Sequence, residues 1–218
     1  MILYLGTDPS HFVGVGPVVH YPVIKLVPKA IPPYIFEEIP SYTHCIFTSK
    51  NAVSILKQQL SLKVLEKKTI IAVGVVTKAR LEEEGLVVAA VAQQERQEGV
   101  VELLKSMSIE KAHIFLPHSL RARDVLERFL IDHQIQHRIC DLYDTVTQKL
   151  EPLPDLRMIE TIVFTSPSTV EAFFEIFSFL PPEKRTICIG PITQEALNTY
   201  LTRKGSRFIL GNHQEGDV

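Results

Sequence analysis

The sequence predicts an α/β protein with parallel β-sheets, arranged as two related domains. Three observations predict this fold class. Short apolar runs alternate with amphipathic stretches along most of the 218 residues, which is typical of strand-helix-strand units. One strand-helix unit occurs twice at matched spacing, and proline-rich segments stand where the chain would pass from one domain to the other.

The apolar runs predict ten strands, and the stretches between them predict helices with one apolar face. The predicted strands cover residues 2–5, 18–26, 45–48, 70–73, 87–92, 113–116, 136–142, 161–164, 186–189 and 206–210. Amphipathic helices are predicted at 51–60, 121–131 and 169–177. No clear helix is expected at the C-terminus.

The internal repeat is the most informative feature of the chain. CIFTSKNAVSIL, from Cys45, matches IVFTSPSTVEAF, from Ile162. IAVGVVTKARLEEEG, from Ile71, matches CIGPITQEALNTYLTRKG, from Cys188. The same order of strand, Thr-Ser, helix, strand, Gly-x-x-Thr and helix therefore occurs twice, which implies two related domains.

The number of strands predicts how the two domains share the chain. The segment after Asp155 holds only three predicted strands, too few for a domain like the one formed by the middle of the chain. We therefore expect a discontinuous first domain of residues 1–28 plus 148–218 and an inserted second domain of residues 31–142. The chain would cross at the proline-rich segments around Pro28 and Pro152.

Charge and composition exclude several classes of partner. The formal net charge is -2, so the chain lacks the basic surface that binds nucleic acid. No stretch approaches the roughly 18 apolar residues of a membrane span. Three widely spaced cysteines favour a reducing compartment over a disulfide framework, and we expect a cytoplasmic protein.

Polar pairs follow a buried strand in both repeats and stand where a helix begins. They are Thr48 with Ser49 and Thr165 with Ser166. The carboxyl edge of a parallel sheet is where α/β proteins bind ligands, and the first turn of a helix offers backbone N–H groups to an anion. A single pair of this kind is more often a plain helix cap.

The second motif of each repeat adds a glycine at a strand end and a threonine where a helix cap is expected. These are Gly74 with Thr77 and Gly190 with Thr193. Because both motifs recur at matched spacing, we expect four helix starts to face a common cleft between the domains. Such a cleft suits a ligand with several negative groups.

Three other patterns carry little functional signal. Gly14-Val15-Gly16 lacks the third glycine and the following helix of a dinucleotide loop. His133 and His137 have no third ligand nearby in sequence, so a metal site is not predicted. Pro117-His118-Ser119-Leu120 lacks the glycines of a nucleophile elbow, which argues against serine hydrolase chemistry.

The chain resembles uroporphyrinogen-III synthases from about Phe47 to Leu197. The strings that carry the resemblance, in family order, are FTSKNAV, AVGVVTKARLEEEG, QEGVVELL, LYDTV, FTSPSTVEAFFE and IGPITQEAL. The resemblance implies two flavodoxin-like domains joined by a two-stranded linker, with hydroxymethylbilane bound in the cleft between them. It also implies a lyase reaction in haem biosynthesis, in which water is lost and the bilane is closed with ring D inverted.

The resemblance also implies the remaining properties of the enzyme. No metal or organic cofactor takes part, and the substrate is the small-molecule partner. We expect the protein to be a monomer. A transient contact with the deaminase that supplies the bilane is a further possibility that the resemblance leaves open. Two arginines, Arg121 and Arg123, could pair with a substrate carboxylate, although a solvated helix face explains them equally well.

Tyr143, in LYDTV, matches the family tyrosine that helps the hydroxyl group leave, and it is the catalytic residue we predict. The predicted substrate-binding residues share a position at the ends of strands or the starts of helices. They are Thr48, Ser49, Thr77, Ser119, Thr165, Ser166, Ser168, Gly190 and Thr193.

A binding protein without catalytic activity is the alternative hypothesis. Its two domains would close around a small polyanion and release it unchanged. Tyr143 separates the two hypotheses, because a pure binder has no need of a phenol at that place. A nucleotide-dependent enzyme is a weaker alternative, since the chain lacks a glycine-rich phosphate loop.

Overall fold

The computed structural model describes residues 1–10, 12, 14 and 16–210, with side chains described as far as Thr202. The chain forms two compact units. Unit 1 contains Met1–Lys25 and Thr145–Val218, and unit 2 contains Leu26–Asp144. Across the described part of the chain, no helix is both long enough and apolar enough to cross a membrane.

Ten strands and seven α-helices follow one another along the described chain. In order they are β1 (Ile2–Tyr4), β2 (Val18–His20), β3 (Ile24–Pro28), α1 (Pro33–Glu38), β4 (His44–Phe47), α2 (Lys50–Gln59), β5 (Thr69–Ala72), α3 (Val75–Glu83), β6 (Val88–Val91), α4 (Gln97–Lys105), β7 (His113–Ser119), α5 (Val125–Asp132), β8 (Gln136–Thr147), β9 (Thr161–Phe164), α6 (Pro167–Phe177), β10 (Arg185–Cys188) and α7 (Pro191–Leu210).

Unit 2 is built around a six-stranded sheet in the order β3-β8-β7-β4-β5-β6. The strands from β8 to β6 pair in parallel, so their carboxyl ends meet at one edge of the sheet. This parallel arrangement explains why the central strands β4 and β5 are nearly continuous apolar runs, because helices cover both faces of the sheet.

Two cores lie on the opposite faces of this sheet. On the first face, α1, α2 and α3 pack against strand residues such as Phe47 and Phe115. On the second face, α4 and α5 pack against Ile46, Ile114 and Leu116. Alternation of side chains along β4 and β7 accounts for the division, since neighbouring residues on a strand point to opposite faces.

Unit 1 contains a four-stranded parallel sheet in the order β10-β9-β1-β2. Its main core combines aliphatic side chains with aromatic rings. The rings of Phe164 and Phe173 meet edge to face at 5.4 Å between centroids, and Phe174 stacks on Tyr200 at 5.0 Å. The first contact joins α6 to β9, and the second joins α7 to α6.

The predicted α/β class with parallel sheets is confirmed, while two predicted elements are wrong. The proposed strand at 206–210 lies inside α7, so the chain has a long final helix. The segment after Asp155 contributes two described strands, β9 and β10, instead of three. The run at 18–26 forms two short strands, β2 and β3, interrupted around Pro22, whose nitrogen cannot donate to a ladder.

The error at 206–210 has a local cause. A short apolar run does not distinguish a strand from a helix by periodicity, and here the helix that begins at Pro191 continues through it.

Candidate active site

In unit 2, the turn after β4 is shaped by Ser49. Ser49 is the N-cap of α2, and its hydroxyl oxygen accepts a hydrogen bond of 3.0 Å from the Asn51 N–H. Thr48 and Ser49 are half-buried, so this turn remains within reach of a ligand. The local sequence explains the turn, because serine is a preferred N-cap between a buried strand and a helix.

Tyr143 lies in β8 at the same edge of the sheet and is only 4% exposed. Burial raises the pKa of the phenol, while a side-chain hydrogen bond with Ser49 acts in the opposite direction. The sequence-predicted catalytic residue and one predicted binding residue are therefore brought into direct contact. A phenol with a raised pKa stays protonated at neutral pH and is able to donate a hydrogen bond.

Ser119, at the end of β7, lies opposite Tyr143 in the strand pairing. The Leu120 N–H donates to the Tyr143 carbonyl oxygen at 2.8 Å. The Ser119 hydroxyl accepts a hydrogen bond of 3.2 Å from the Arg121 N–H and so stabilises the turn that follows the strand. Strands β4, β7 and β8 thus place Ser49, Ser119 and Tyr143 at one edge of unit 2.

The start of α3 differs from the expectation for the Gly74 motif. Gly74 is the N-cap, and Thr77 is a buried residue of the first helical turn, so Thr77 is not the cap that the sequence suggested. The Glu95 carboxylate accepts a hydrogen bond of 2.9 Å from the Val75 N–H at this helix start. A methyl group at position 74 would come within 2.4 Å of the Glu95 carboxyl carbon. The missing side chain of Gly74 therefore makes room for a carboxylate.

In unit 1, the turn after β9 is closed by Thr169, a residue that sequence analysis missed. Its hydroxyl oxygen accepts from the N–H groups of Thr165 and Ser166 at 3.0 and 3.1 Å, and its O–H donates to the Ser166 carbonyl at 2.7 Å. Ser166 caps α6 in return, accepting from the Thr169 N–H at 3.3 Å. This reciprocal arrangement is a capping box with threonine at its third position.

The capping box changes the role expected for Thr165 and Ser166. Their backbone N–H groups are engaged by Thr169, and Pro167 carries no N–H, so the α6 start offers a ligand fewer donors than predicted. Ser168 lies outside the box and is half-buried. A polar threonine three residues after a serine cap was the sequence signal for this arrangement.

Gly190 and Thr193 stand at the start of α7. Gly190 has φ +84°, in the left-handed region that favours glycine. The Thr193 hydroxyl donates to the Ile189 carbonyl oxygen at 2.9 Å, and the side chain is buried. Thr193, like Thr77, is therefore a residue of the first turn and not the cap that the sequence suggested.

The end of β1 passes close to the end of β9. A Cβ atom on Gly6 would lie 2.7 Å from the methyl carbon of Thr165, so only glycine fits beside that side chain. The His20 ring nitrogen Nε2 lies 2.9 Å from the Gly6 carbonyl oxygen. Gly6 and His20 extend the polar edge of unit 1, and no sequence motif pointed to either residue.

The two arginines considered as carboxylate partners are already paired within unit 2. Arg121 Nε donates to Asp144 Oδ1 at 2.7 Å. The Arg123 guanidinium binds both carboxylate oxygens of Glu98 and, as the largest cause, lowers the pKa of that carboxyl to about 2. A substrate carboxylate would therefore have to compete with these ion pairs.

No group of three or more histidine, cysteine, aspartate or glutamate side chains suited to a metal ion occurs among the residues that the structure describes. The polar groups at the sheet edges include hydroxyls, backbone amides, the Glu95 carboxylate, the His20 imidazole and the Tyr143 phenol. Such groups can bind carboxylates, donate a proton or orient a flexible anion, which is chemistry that needs positioning more than strong acids or bases.

Solved structures of two other proteins share the fold described above. The solved uroporphyrinogen-III synthetase of Helicobacter pylori is 21% identical, with a TM-score of 0.66, over 94% of this chain and 88% of that one. A mutant uroporphyrinogen III synthase of the extremely thermophilic bacterium Thermus thermophilus gives 17% identity and a TM-score of 0.60, over 91% of this chain and 88% of that one. At these identities, both likenesses show the fold.

Comparison of the amino-acid sequence identifies a related protein and the family of this chain. A protein of Methanothermobacter thermautotrophicus, whose name gives uroporphyrinogen-III synthase as a provisional assignment, is 28% identical over an alignment of 172 residues, and the match covers 71% of this chain and 68% of that protein. The profile of the family described as uroporphyrinogen-III synthase HemD matches residues 14–204. Because this match covers most of the chain, the protein belongs to the uroporphyrinogen-III synthase family.

Proposed function

We propose that this protein is the enzyme that closes hydroxymethylbilane to uroporphyrinogen III, with loss of water and inversion of ring D. Family membership supports the assignment. The observation that carries it is the buried Tyr143 phenol beside Ser49, at the strand ends of unit 2. This reaction is a lyase reaction, because the carbon–oxygen bond of the hydroxymethyl group breaks without hydrolysis.

Tyr143 would act on the departing hydroxyl group. Burial raises the pKa of its phenol, so the O–H remains in place at neutral pH and can donate to the leaving oxygen. The oxygen departs as water and leaves an azafulvene. That electrophile is attacked by the substituted carbon of ring D, and the resulting spiro intermediate fragments and closes again with ring D inverted.

The remaining polar residues would bind the acetate and propionate groups of the bilane. In unit 2 these residues are Thr48, Ser49, Thr77 and Ser119. In unit 1 they are Thr165, Ser166, Ser168, Gly190 and Thr193. The substrate carries eight carboxylates, and helix starts with hydroxyl groups are favourable places for anions. We propose that the sheet edges of both units bind the same substrate molecule.

We further propose that the two compact units are flavodoxin-like domains, with boundaries near 1–28 plus 148–218 and 31–142, and that β3 and β8 are the linker strands. The division of the chain at Lys25 and Asp144 supports this proposal, because both residues lie in those two strands. We also propose that the protein is a monomer and that it contacts the upstream deaminase transiently.

We propose a cytoplasmic location, and the free thiol groups of the cysteines support it. All three are free, and Cys45 and Cys140 are buried in unit 2, where burial raises the pKa of both thiols. Protonated core thiols suit a reducing compartment. No cofactor is proposed for the reaction.

A coupled assay tests the function. Hydroxymethylbilane is generated in place by its deaminase, and the isomers formed with and without this protein are separated by chromatography after oxidation. We expect the type III isomer to dominate when the protein is present. Production of the type I isomer alone, together with measurable bilane binding, would favour the non-catalytic binding protein instead.

Glu95→Gln is expected to lower KM for the bilane about two- to fivefold, the range given by the interaction of one charge with a helix terminus. A substrate carboxylate at the α3 start has to replace Glu95 at the Val75 N–H. Glutamine keeps an acceptor oxygen for that N–H but removes the competing charge. Steady-state kinetics on the coupled assay measure the change.

Glu102→Gln is the matched control, because Glu102 is an exposed carboxylate on the neighbouring helix α4. Its KM should stay at the wild-type value. Equal changes in both variants would show that only net charge matters, and an unchanged KM for Glu95→Gln would remove the α3 start from the substrate site.

A further inference from the structure

The pairing of β7 with β8 is regular up to one point near the strand ends. The parallel register runs from His113 opposite Gln136 to His118 opposite Asp141, and then shifts so that Ser119 stands opposite Tyr143. Strand β8 therefore contains one extra residue, Leu142, relative to β7. This shift is a β-bulge.

The extra residue decides which face of the sheet receives the Tyr143 ring. Cys140 and Leu142 belong to the core beneath α1, α2 and α3, while Ile139 packs in the core beneath α4 and α5. Regular alternation would place Tyr143 on the same face as Ile139, away from Ser49. With the bulge, Tyr143 joins Leu142 on the first face and reaches Ser49.

A side-chain pair occupies the last regular position before the bulge. His118 Nε2 lies 3.1 Å from Asp141 Oδ1, on the face of the sheet opposite Tyr143. The His118 side chain is 10% exposed, while the Asp141 side chain is 39% exposed. Because a carboxylate only accepts hydrogen bonds, Nε2 carries the proton and donates it to Asp141.

The surroundings of His118 make the imidazole depend on Asp141 as its hydrogen-bond acceptor. Burial lowers the pKa of the imidazole, and Asp141, together with Glu127 of α5, raises it. A buried imidazole that loses its acceptor carries a cost in free energy, so β8 is held at the one register in which Asp141 faces His118. Slippage by a single residue would replace Asp141 with an apolar neighbour.

We propose that the hydrogen bond from His118 to Asp141 holds β8 in register up to the start of the bulge, so that the extra residue falls at Leu142, and thereby positions the Tyr143 phenol against Ser49 and opposite Ser119. His118 and Asp141 are positioning residues, since their effect on the reaction passes through Tyr143. The proposal rests on the proposed function for its consequence in turnover, but the placement of the ring can be measured without substrate.

The experiment compares the wild type with Asp141→Ala and Asp141→Asn. Asp124→Ala is the control, because it also removes an aspartate but breaks only an exposed ion pair with Arg128 of α5. For Asp141→Ala we expect kcat to fall about tenfold, with KM within about twofold of the wild type, because a small displacement of a positioned group lowers the rate of the chemical step. Asp141→Asn, which retains an acceptor for Nε2, should restore most of the loss.

Fluorine NMR of protein labelled with 3-fluorotyrosine gives the readout that needs no substrate. The Tyr143 resonance is assigned as the one missing from Tyr143→Phe. It should move in Asp141→Ala and return in Asp141→Asn, while the Tyr42 and Tyr21 resonances stay in place. If Asp141→Ala does not fold, His118→Phe, which keeps a ring of similar size but has no donor for Asp141, serves for the same measurement.

The outcomes separate the positioning proposal from the proposed function. An unmoved Tyr143 resonance in a folded variant that lacks the pair overturns the positioning role. A moved resonance together with full activity of Tyr143→Phe supports the positioning role and refutes the catalytic role of the phenol. A loss of kcat equal to that of Asp124→Ala also overturns the proposal.

Discussion

Tyr143→Phe is expected to lower kcat for formation of the type III isomer by about 10²-fold, with little change in KM. Loss of a single general-acid group typically costs about 10²- to 10⁴-fold, and the departing hydroxyl is able to take its proton from water when the phenol is missing. The ring and its packing in the core remain, since phenylalanine keeps the buried surface. Single-turnover kinetics with preformed bilane separate this loss from effects on binding.

The same change should cost little stability. It removes one side-chain hydrogen bond, with Ser49, which is worth about 1 kcal/mol. Tyr34→Phe is the matched control, because Tyr34 is an exposed tyrosine of the same unit. Full activity of Tyr143→Phe, with the type III isomer still dominant, would mean that the phenol only packs in the core.

Phe173→Ala should lower the free energy of unfolding of unit 1 by about 3–5 kcal/mol, the usual range for truncating a buried phenylalanine. Its side chain is fully buried, and its ring contacts Phe164 at the end of β9, Phe174 and Phe177. Truncation leaves a cavity directly beneath the turn that carries Thr165 and Ser166. Urea denaturation followed by circular dichroism measures the loss.

Phe179→Ala provides the comparison, because Phe179 is 59% exposed and follows the same helix. Its unfolding free energy should stay within about 0.5 kcal/mol of the wild type, as is usual for surface positions. Equal effects of the two changes would contradict the placement of Phe173 in the core. A cost of several kcal/mol is a large part of the total stability of a domain, so Phe173→Ala should also reduce the amount of folded protein.

Elements specified by local patterns agree well between sequence and structure. The helix predicted at 51–60 is α2, Lys50–Gln59, and the helix predicted at 169–177 is contained in α6, Pro167–Phe177. Both begin after a serine that caps the helix and continue with a regular apolar face. Capping and periodicity act within a few residues, so the sequence expresses them directly.

Elements that depend on distant partners were missed. Glu95 reaches the Val75 N–H across 20 positions of the chain, and the pairing of His118 with Asp141 spans 23. No local period reveals either contact, because each depends on which segment is the neighbour in space.

The candidate phenol at position 143 was indicated by the resemblance to a known family. The amino-acid order alone predicts the parallel α/β class, the repeated strand-helix unit and the serine caps at positions 49 and 166. These features arise from short-range preferences of the backbone and from the spacing of apolar residues. Tertiary structure alone decided that a carboxylate occupies the α3 start and that an extra residue in β8 turns Tyr143 towards Ser49. Both depend on sheet register and packing between segments far apart in the chain, which become fixed only when the sheet is assembled.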